Sequence, residues 1–264
     1  MKIGFIGLGN MANAMIGGML KQDLIKPADI SGSAKTEATA EKMRQRYGIC
    51  TGTDNRAAAS GVDYLFLAVK PVYFPEVINE IKDVVGENTV VISIAAGKTM
   101  AYIEELFGRR MKLLRCMPNT PALVGEGCTA YTRGPLVTDE EAKQAEALLR
   151  SFGTVSLVPE SLMDAVVGVS GSSPAYVFLF IEAMADAAVL AGMPRMQAYE
   201  MAAQSVLGSA KMVLETGLHP GALKDMVCSP GGTTIEAVQV LEEKGMRAAV
   251  MSAMEACIEK SKNL

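Results

Sequence analysis

Residues 2–12 have the sequence Lys-Ile-Gly-Phe-Ile-Gly-Leu-Gly-Asn-Met-Ala. The run Lys2–Ile6 is rich in β-branched and aromatic residues, as in a buried strand, and it leads directly into the glycine turn Gly7-x-Gly9-x-x-Ala12. A helix-like segment follows over residues 13–20. A strand, a tight glycine turn and a helix in this order form the dinucleotide-binding fingerprint in its required context.

The small residues of this turn are each needed for a nucleotide to bind there. Gly7 permits the sharp turn, Gly9 lets the backbone approach a pyrophosphate, and Ala12 lets the helix lie close to the strand. The helix N-terminus adds free N–H groups and the positive end of its dipole. We therefore expect a nicotinamide or flavin nucleotide at this turn; the alternative is an ordinary glycine turn. The predicted contacts are Gly7, Leu8, Gly9, Asn10, Met11 and Ala12.

The same apolar start has a second interpretation, because one lysine before a nearly uncharged run to Leu20 also suits a signal peptide. Asn10, Asn13 and several glycines interrupt that run, and no small-residue cleavage site follows it. The segment is also needed as the first strand. We therefore expect it to be retained and the protein to be cytoplasmic.

The composition predicts a soluble globular protein of one large domain or two ordinary ones. Half of the 264 residues are apolar and 20% are charged. With a formal net charge of −4, the chain lacks the excess of positive charge that is typical of nucleic-acid-binding proteins. Five cysteines without close pairs or metal-ligand spacing favour reduced thiols, and a single histidine argues against a histidine-rich metal site. We expect neither a nucleic-acid partner nor a metal.

Short β-like runs alternate with helical segments through the first part of the chain. The predicted strands are Lys2–Ile6, Asp29–Ser33, Tyr64–Val69, Val90–Ile94, Leu113–Met117 and Val155–Val158. The predicted helices between them include Thr36–Tyr47, Tyr73–Val85, Ala101–Phe107 and Asp139–Phe152. This alternation predicts an α/β fold of the Rossmann type, with a doubly wound, mostly parallel sheet.

After Pro159 the pattern becomes helical throughout. The predicted helices are Ser161–Val167, Ser173–Gly192, Arg195–Thr216, Ala222–Val227, Thr234–Lys244 and Met246–Ser261. We therefore divide the chain into a dinucleotide-binding domain over 1–160 and an all-α domain over 161–264.

The helical part is rich in methionine and poor in aromatic residues. Its most apolar stretch, Ala175–Met193, contains Glu182 and Asp186, which favours a buried helix over a membrane span. The methionines are compatible with ordinary core packing. We expect this half to bury an apolar face against another copy of the chain.

The end of the second strand predicts the choice of cofactor. NAD-binding domains carry an acidic residue there that bonds the ribose 2′-OH. Asp29 has nearly the right spacing but stands at the start of the strand. The carboxyl end carries Ser33, Ala34, Lys35 and Thr36, whose hydroxyls and ammonium suit a 2′-phosphate, with no carboxylate to repel it. We expect NADPH, while Glu37 leaves the use of NADH open.

Further motifs complete a resemblance to a known family. Three follow the third, fourth and fifth strands, where ligands of open α/β sheets bind: Ala68-Val69-Lys70-Pro71, Ala95-Ala96-Gly97 and Arg115-Cys116-Met117-Pro118-Asn119-Thr120-Pro121. Three lie in the helical half: Gly171-Ser172-Ser173-Pro174-Ala175-Tyr176, Gly192-Met193-Pro194-Arg195 and Ser229-Pro230-Gly231-Gly232-Thr233-Thr234. With His219-Pro220 and Leu223-Lys224-Asp225 before the last motif, the chain resembles the pyrroline-5-carboxylate reductases over essentially its whole length. Ser173 departs from the glycine that the family often has there.

This resemblance implies an activity and an assembly. The family reduces the C=N bond of 1-pyrroline-5-carboxylate to L-proline with NAD(P)H, the last step of proline biosynthesis. Its helical domain forms interlocked dimers, often assembled into decamers, with the substrate pocket at the dimer interface between the nicotinamide and the Ser-Pro-Gly-Gly loop. The positions that match its nucleotide contacts are residues 7–12, 33–36, Asn55, 68–71 and 95–97, to which we add Asn119.

The loop 229–234 can supply the groups that a cyclic imino acid needs. The backbone N–H groups of Gly231, Gly232 and Thr233 lead into a helix and suit a carboxylate, and Ser229 adds a hydroxyl. Thr234, in the first helical turn, is predicted to bond the ring nitrogen and to be the catalytic residue. The alternative is an interhelical turn with an N-cap.

Three other polar residues invite a catalytic role, and two other functions are alternatives to this one. We expect His219 to be structural or solvated, Lys70 to brace the cofactor and Cys228 to pack. A 3-hydroxyacid dehydrogenase-like enzyme would need a lysine acid–base on the helical side, and Lys211 and Lys224 lack the expected surroundings. A non-catalytic NADPH-binding protein would not need the intact loop.

Overall fold

An eight-stranded sheet organises the first half of the computed structural model, which describes residues 1–263. The strands are β1 (Ile3–Ile6), β2 (Ile30–Ser33), β3 (Cys50–Gly52), β4 (Tyr64–Leu67), β5 (Val90–Ser93), β6 (Lys112–Met117), β7 (Gly127–Arg133) and β8 (Gly153–Leu157). Their order is β3-β2-β1-β4-β5-β6-β7-β8. The strands from β3 to β6 are parallel, β7 is antiparallel to β6, and β8 is parallel to β7. The predicted Rossmann-type, mostly parallel sheet is confirmed.

Helices flank the strands and then make up the rest of the chain. The first seven are α1 (Asn10–Lys21), α2 (Glu37–Tyr47), α3 (Asn55–Ala59), α4 (Phe74–Ile81), α5 (Met100–Phe107), α6 (Asp139–Arg150) and α7 (Met163–Val166). The remaining five are α8 (Ser173–Leu190), α9 (Arg195–Thr216), α10 (Pro220–Val227), α11 (Thr233–Glu243) and α12 (Met246–Lys262). The helical character predicted after Pro159 is confirmed.

The chain divides into two compact units. One contains residues 1–172 together with residues from 257 onward, and the other is Ser173–Ala256. The chain therefore leaves the first unit at the start of α8 and returns to it within α12. The boundary between residues 160 and 161 stays a prediction.

The sheet of the first unit has an apolar cluster on each face. Successive side chains of β1 alternate, so that Phe5 joins the cluster with α1 and α6, while Ile6 joins the cluster with α4 and α5. All four residues of β1 are buried. Parallel strands covered on both faces are apolar throughout, which explains the uninterrupted run at the start of the sequence.

Two strands were missed by the sequence analysis. β3 has only three residues, includes Thr51 and Gly52, and lies at the edge of the sheet. β7 begins with Gly127 and carries two threonines, so it lacks an apolar run. The helix predicted from Tyr73 to Val85 is also shorter, because a 3₁₀ turn over Pro71–Tyr73 precedes it and α4 ends at Ile81.

The prediction that the apolar stretch after Ala175 is buried is wrong for the single chain. Within α8 only Ala185 is buried, whereas Phe178 and Leu179 are 62% and 67% exposed. Among the described residues, Glu160–Leu190 is the one helical stretch long and apolar enough, by length and composition, to cross a membrane. Helices in the cores of soluble proteins meet the same criteria. Sequence alone does not specify what covers such a face.

Candidate active site

The turn after β1 is tied to both neighbouring strands. Gly7 has φ of +95°, and a Cβ there would lie 2.7 Å from the carbonyl oxygen of Ala68. Its N–H donates to the carbonyl of Ser33 at 2.9 Å, and the Ala68 N–H donates to the carbonyl of Ile6 at 2.8 Å. Only glycine fits this position without displacing the chain after β4.

The next glycine faces open space. Gly9 is the N-cap residue of α1, and no side chain caps the helix. A Cβ on Gly9 would meet no atom within 4 Å. No side chain of the protein therefore occupies the N-terminus of α1, and Ala12 is buried where the helix packs on the sheet. An uncapped helix N-terminus with an unobstructed glycine before it fits a dinucleotide diphosphate.

A chain of side-chain hydrogen bonds stands at the carboxyl end of β2. The Ser33 hydroxyl is fully buried and donates to Asn55 Oδ1 at 2.6 Å. Asn55 Nδ2 in turn donates to Glu80 Oε2 at 2.6 Å. Ser33 was expected to offer its hydroxyl to a 2′-phosphate, but that hydroxyl is used internally. The expectation that no carboxylate lies nearby is also wrong, because α4 brings Glu80 to Asn55.

An ion pair between α3 and the turn that follows α4 helps to hold Glu80 in this place. Arg56 donates two hydrogen bonds to Asp83, at 2.7 and 2.8 Å, and a third to the carbonyl of Glu80 at 2.8 Å. The hydrogen bond from Arg56 lowers the pKa of Asp83. The pair is exposed, so its role is chiefly geometric.

The segment after β2 continues as an exposed edge of the site. The Lys35 ammonium lies 5.2 Å from the centroid of the Tyr73 ring, within cation–π distance. Thr36 caps α2, and its hydroxyl accepts a hydrogen bond from the Thr39 N–H at 3.3 Å. Asp29 ends a 3₁₀ turn before β2, which confirms that it stands at the wrong end of the strand to meet a ribose.

The other predicted nucleotide contacts follow β4 and β5. Lys70 is exposed and Pro71 begins a short 3₁₀ turn. Ala95 is buried, and its N–H lies 3.4 Å from the hydroxyl of Ser93. Gly97 has φ of +71°. Because β2, β1, β4 and β5 are adjacent and parallel, these segments lie side by side along one edge of the sheet.

Asn119 has a structural task that the sequence analysis did not foresee. Its side chain is buried, donates to the carbonyl of Ser170 at 3.0 Å and accepts from the N–H of Cys128 at 2.8 Å. The amide thereby links the end of β6 to β7 and to the π-helical turn Val167–Gly171. Its contact with a nucleotide stays a prediction.

In the second unit, the loop before α11 forms a bare helix N-terminus. Gly231 has φ of +66°, and the Gly232 N–H donates to the carbonyl of Ser229 at 3.0 Å. Gly232 is the N-cap residue, and no side chain caps the helix. The alternative in which a threonine caps α11 is therefore not what the structure has. Thr234 lies in the first turn and is half-buried.

His219 has a local partner. Its Nδ1 accepts a hydrogen bond from the Gly221 N–H at 3.0 Å and caps α10. This arrangement agrees with the structural role expected for it. Among residues 1–263, no three histidine, cysteine, aspartate or glutamate side chains come together as metal ligands would.

Comparison with known proteins gives two family matches. Residues 160–264 match the family described as pyrroline-5-carboxylate reductase dimerisation, and residues 2–97 match the family described as NADP oxidoreductase, coenzyme F420-dependent. The chain is 52% identical to the pyrroline-5-carboxylate reductase of Escherichia coli, over 100% of this chain and 98% of that one. It is 46% identical to that of Methanosarcina acetivorans, over 100% and 97%.

Solved structures agree with these matches. A pyrroline-5-carboxylate reductase from Coxiella burnetii superposes with a TM-score of 0.91 at 35% identity, covering 99% of this chain and 97% of that chain. The Plasmodium falciparum enzyme, solved with NADP bound, superposes with a TM-score of 0.89 at 34% identity and the same coverage.

Proposed function

Because the chain belongs to the pyrroline-5-carboxylate reductase family, we propose that it reduces the C=N bond of 1-pyrroline-5-carboxylate to L-proline with NADPH, as the last step of proline biosynthesis. The observation that carries the proposal is the bare N-terminus of α11 behind Gly231 and Gly232. That feature can bind a carboxylate through the backbone alone. An imino acid has such a carboxylate next to the bond to be reduced.

The nucleotide is held at the edge of the sheet in the first unit. Its diphosphate lies on the first turn of α1, where Gly9 leaves the backbone open. The segments 33–36, 68–71 and 95–97, with Asn55, contact the remainder, and Asn119 stays in the predicted set. NADPH supplies the hydride when it is bound. The protein positions the cofactor against the substrate and provides the electrostatic environment.

The substrate is held by the loop 229–234. The N–H groups of Gly231, Gly232 and Thr233 bind its carboxylate, with help from the Ser229 hydroxyl. The Thr234 hydroxyl bonds the ring nitrogen as that nitrogen gains basicity. The imine arrives protonated, so no strong acid is needed, and His219 remains at the cap of α10.

The preference for NADPH over NADH depends on two opposing charges. Lys35 is exposed just beyond β2 and attracts a 2′-phosphate. Glu80, held against Asn55, repels it. We infer a preference for NADPH that Glu80 moderates, with NADH still accepted.

The second unit is the surface for self-association. Its apolar side chains are widely exposed in the single chain, with Leu190 at 91% and Leu214 at 82%. An exposed apolar surface of this size is typical of an interface with another molecule. A second copy covers it in dimers, which the family resemblance extends to decamers. We infer a cytoplasmic enzyme without nucleic-acid or membrane partners.

The decisive experiment follows the NADPH concentration in the presence of the purified protein. Its oxidation is measured with pyrroline-5-carboxylate and with a six-membered cyclic imino acid, and its formation from NADP⁺ is measured with a 3-hydroxyacid. Turnover of the five-membered imine supports the proposal. Turnover of the hydroxyacid alone would indicate the dehydrogenase-like alternative. NADPH binding without any turnover would indicate a non-catalytic nucleotide-binding protein.

A further inference from the structure

A partly buried ion pair fixes the segment that follows β5. Arg115 lies on β6 opposite Ser93, the last residue of β5. Its side chain is only 6% exposed and lies on the sheet face covered by α4 and α5, because it alternates with Leu114 and Cys116 on the other face. A guanidinium in that position needs a carboxylate partner.

Glu160 is that partner, and the same oxygen has a second contact. Glu160 Oε1 accepts from Arg115 Nη1 at 3.2 Å and from the backbone N–H of Met100 at 2.8 Å. Met100 is the first residue of α5. The carboxylate therefore stands at the positive end of the helix dipole, which adds to the attraction.

The segment 95–99 is thus fixed at both ends. At its start, the Ala95 N–H meets the hydroxyl of Ser93, and at its end the Met100 N–H meets Glu160. Between these anchors lies Gly97, whose positive φ turns the chain. Without Glu160, the end of the segment keeps the cap of α5 by Thr99 and the packing of α5 on the sheet, but it loses the hydrogen bond that links Met100 to Arg115 through the carboxylate.

We propose that Arg115 and Glu160 are positioning residues for hydride transfer, because together they hold in place the turn 95–97, a segment that would contact the nucleotide on the side away from its diphosphate. This inference rests on the proposed function. The diphosphate and the adenosine end are held at α1 and after β2, far along the sheet from Arg115. Loosening the turn therefore disturbs the orientation of the reacting end of the nucleotide more than the affinity of the protein for NADPH.

The test compares two substitutions on the same strand. Arg115→Met removes the pair at the carboxyl end of β6. Lys112→Met removes a comparable, partly buried pair with Glu141 at the amino end, where side chains are 20% and 23% exposed. In the full-length protein, the single-turnover rate of hydride transfer should fall about ten- to hundred-fold in Arg115→Met, since misplacement by an ångström has costs of that size. The dissociation constant for NADPH should change less than about three-fold, and Lys112→Met should keep the wild-type rate.

A second readout needs no catalysis. Amide hydrogen exchange in the nucleotide-free protein should speed up in peptides covering residues 94–102 for Arg115→Met and not for Lys112→Met. Glu160→Ala should behave like Arg115→Met, whereas Glu160→Gln, which keeps an oxygen for the Met100 N–H, should recover most of the rate. Glu160 is partly exposed, so its variants test the inference even where Arg115→Met fails to fold.

Three results would overturn the inference. Equal hydride-transfer rates in Arg115→Met and Lys112→Met would mean that the pair only stabilises the fold. Unchanged exchange over residues 94–102 would mean that the turn does not depend on it. A loss of NADPH affinity as large as the loss of rate would mean that the pair shapes binding and not orientation. A wild-type protein that binds NADPH but reduces no cyclic imine would instead contradict the proposed function.

Discussion

Removal of the Thr234 hydroxyl gives the sharpest test of the proposed chemistry. Among the described residues, this hydroxyl has no hydrogen-bond partner, and Thr234 is not the cap of α11, since Gly232 is. Thr234→Ala therefore breaks no internal hydrogen bond. Because alanine has the higher helix propensity, the free energy of unfolding should stay the same or rise by up to about 0.7 kcal/mol.

The loss should appear in catalysis alone. A hydrogen bond is worth roughly 0.5–1.5 kcal/mol, and up to about 3 kcal/mol when charge-assisted, as it is when the ring nitrogen carries a proton. We expect kcat/KM for the imine to fall about ten- to hundred-fold, since each ten-fold change corresponds to about 1.4 kcal/mol. The dissociation constant for NADPH should hardly change, because the nucleotide contacts that we propose lie in the first unit.

Two further variants separate the hydroxyl from the shape of the side chain. Thr234→Ser keeps the hydroxyl and should recover much of the activity, whereas Thr234→Val keeps the shape and should be as poor as alanine. Steady-state assays with the imine, together with thermal unfolding of each variant, provide the measurements. Equal losses in the serine and alanine variants, or an active valine variant, would refute the role given to the hydroxyl.

The remaining predictions concern cofactor choice and assembly. Lys35→Ala should weaken NADPH binding about ten-fold or more, from the 1.5–3 kcal/mol of a charge-assisted contact, and change NADH binding little; equal losses would contradict the assignment. Glu80→Gln keeps an oxygen that accepts from Asn55 but removes the negative charge. It should raise the ratio of NADPH affinity to NADH affinity about three- to ten-fold, because repulsion of the 2′-phosphate is relieved. The control Glu87→Gln, near the amino end of β5, should leave this ratio unchanged, and nucleotide fluorescence titration measures it. Leu179→Glu on the exposed face of α8 should dissociate the oligomer in sedimentation velocity without unfolding the first unit, and an unchanged sedimentation coefficient would place the interface elsewhere.

The first strand, its turn and α1 could be predicted from sequence because their determinants are local. The positive φ of Gly7 and the open backbone at Gly9 belong to the turn itself, although the atom that leaves no room for a side chain at Gly7 is the carbonyl oxygen of Ala68, after β4. The order of strand, turn and helix specifies them without knowledge of the remaining fold. The boundaries of α9 were likewise predicted to the residue, since Pro194 precedes it and Gly217 follows it.

The cofactor-selecting end of β2 could be predicted only in part. Residues 33–36 identify the segment, but the chain Ser33–Asn55–Glu80 joins three separate elements. No periodicity or spacing connects a glutamate on α4 with an asparagine on α3. The sequence therefore indicated the ammonium of Lys35 and missed the carboxylate of Glu80 that the fold brings to Asn55.

Arg115 shows where the limit of sequence reasoning lies. A guanidinium within the strand Leu113–Met117, whose neighbours are apolar, already requires an acidic partner, because an unpaired buried charge would be costly. The sequence offers many carboxylates, and only the fold selects Glu160 among them. The same holds for the exposed face of α8, where the pattern indicates an apolar surface but not what covers it. Chemistry predicts that a partner exists, and three-dimensional proximity decides which one it is.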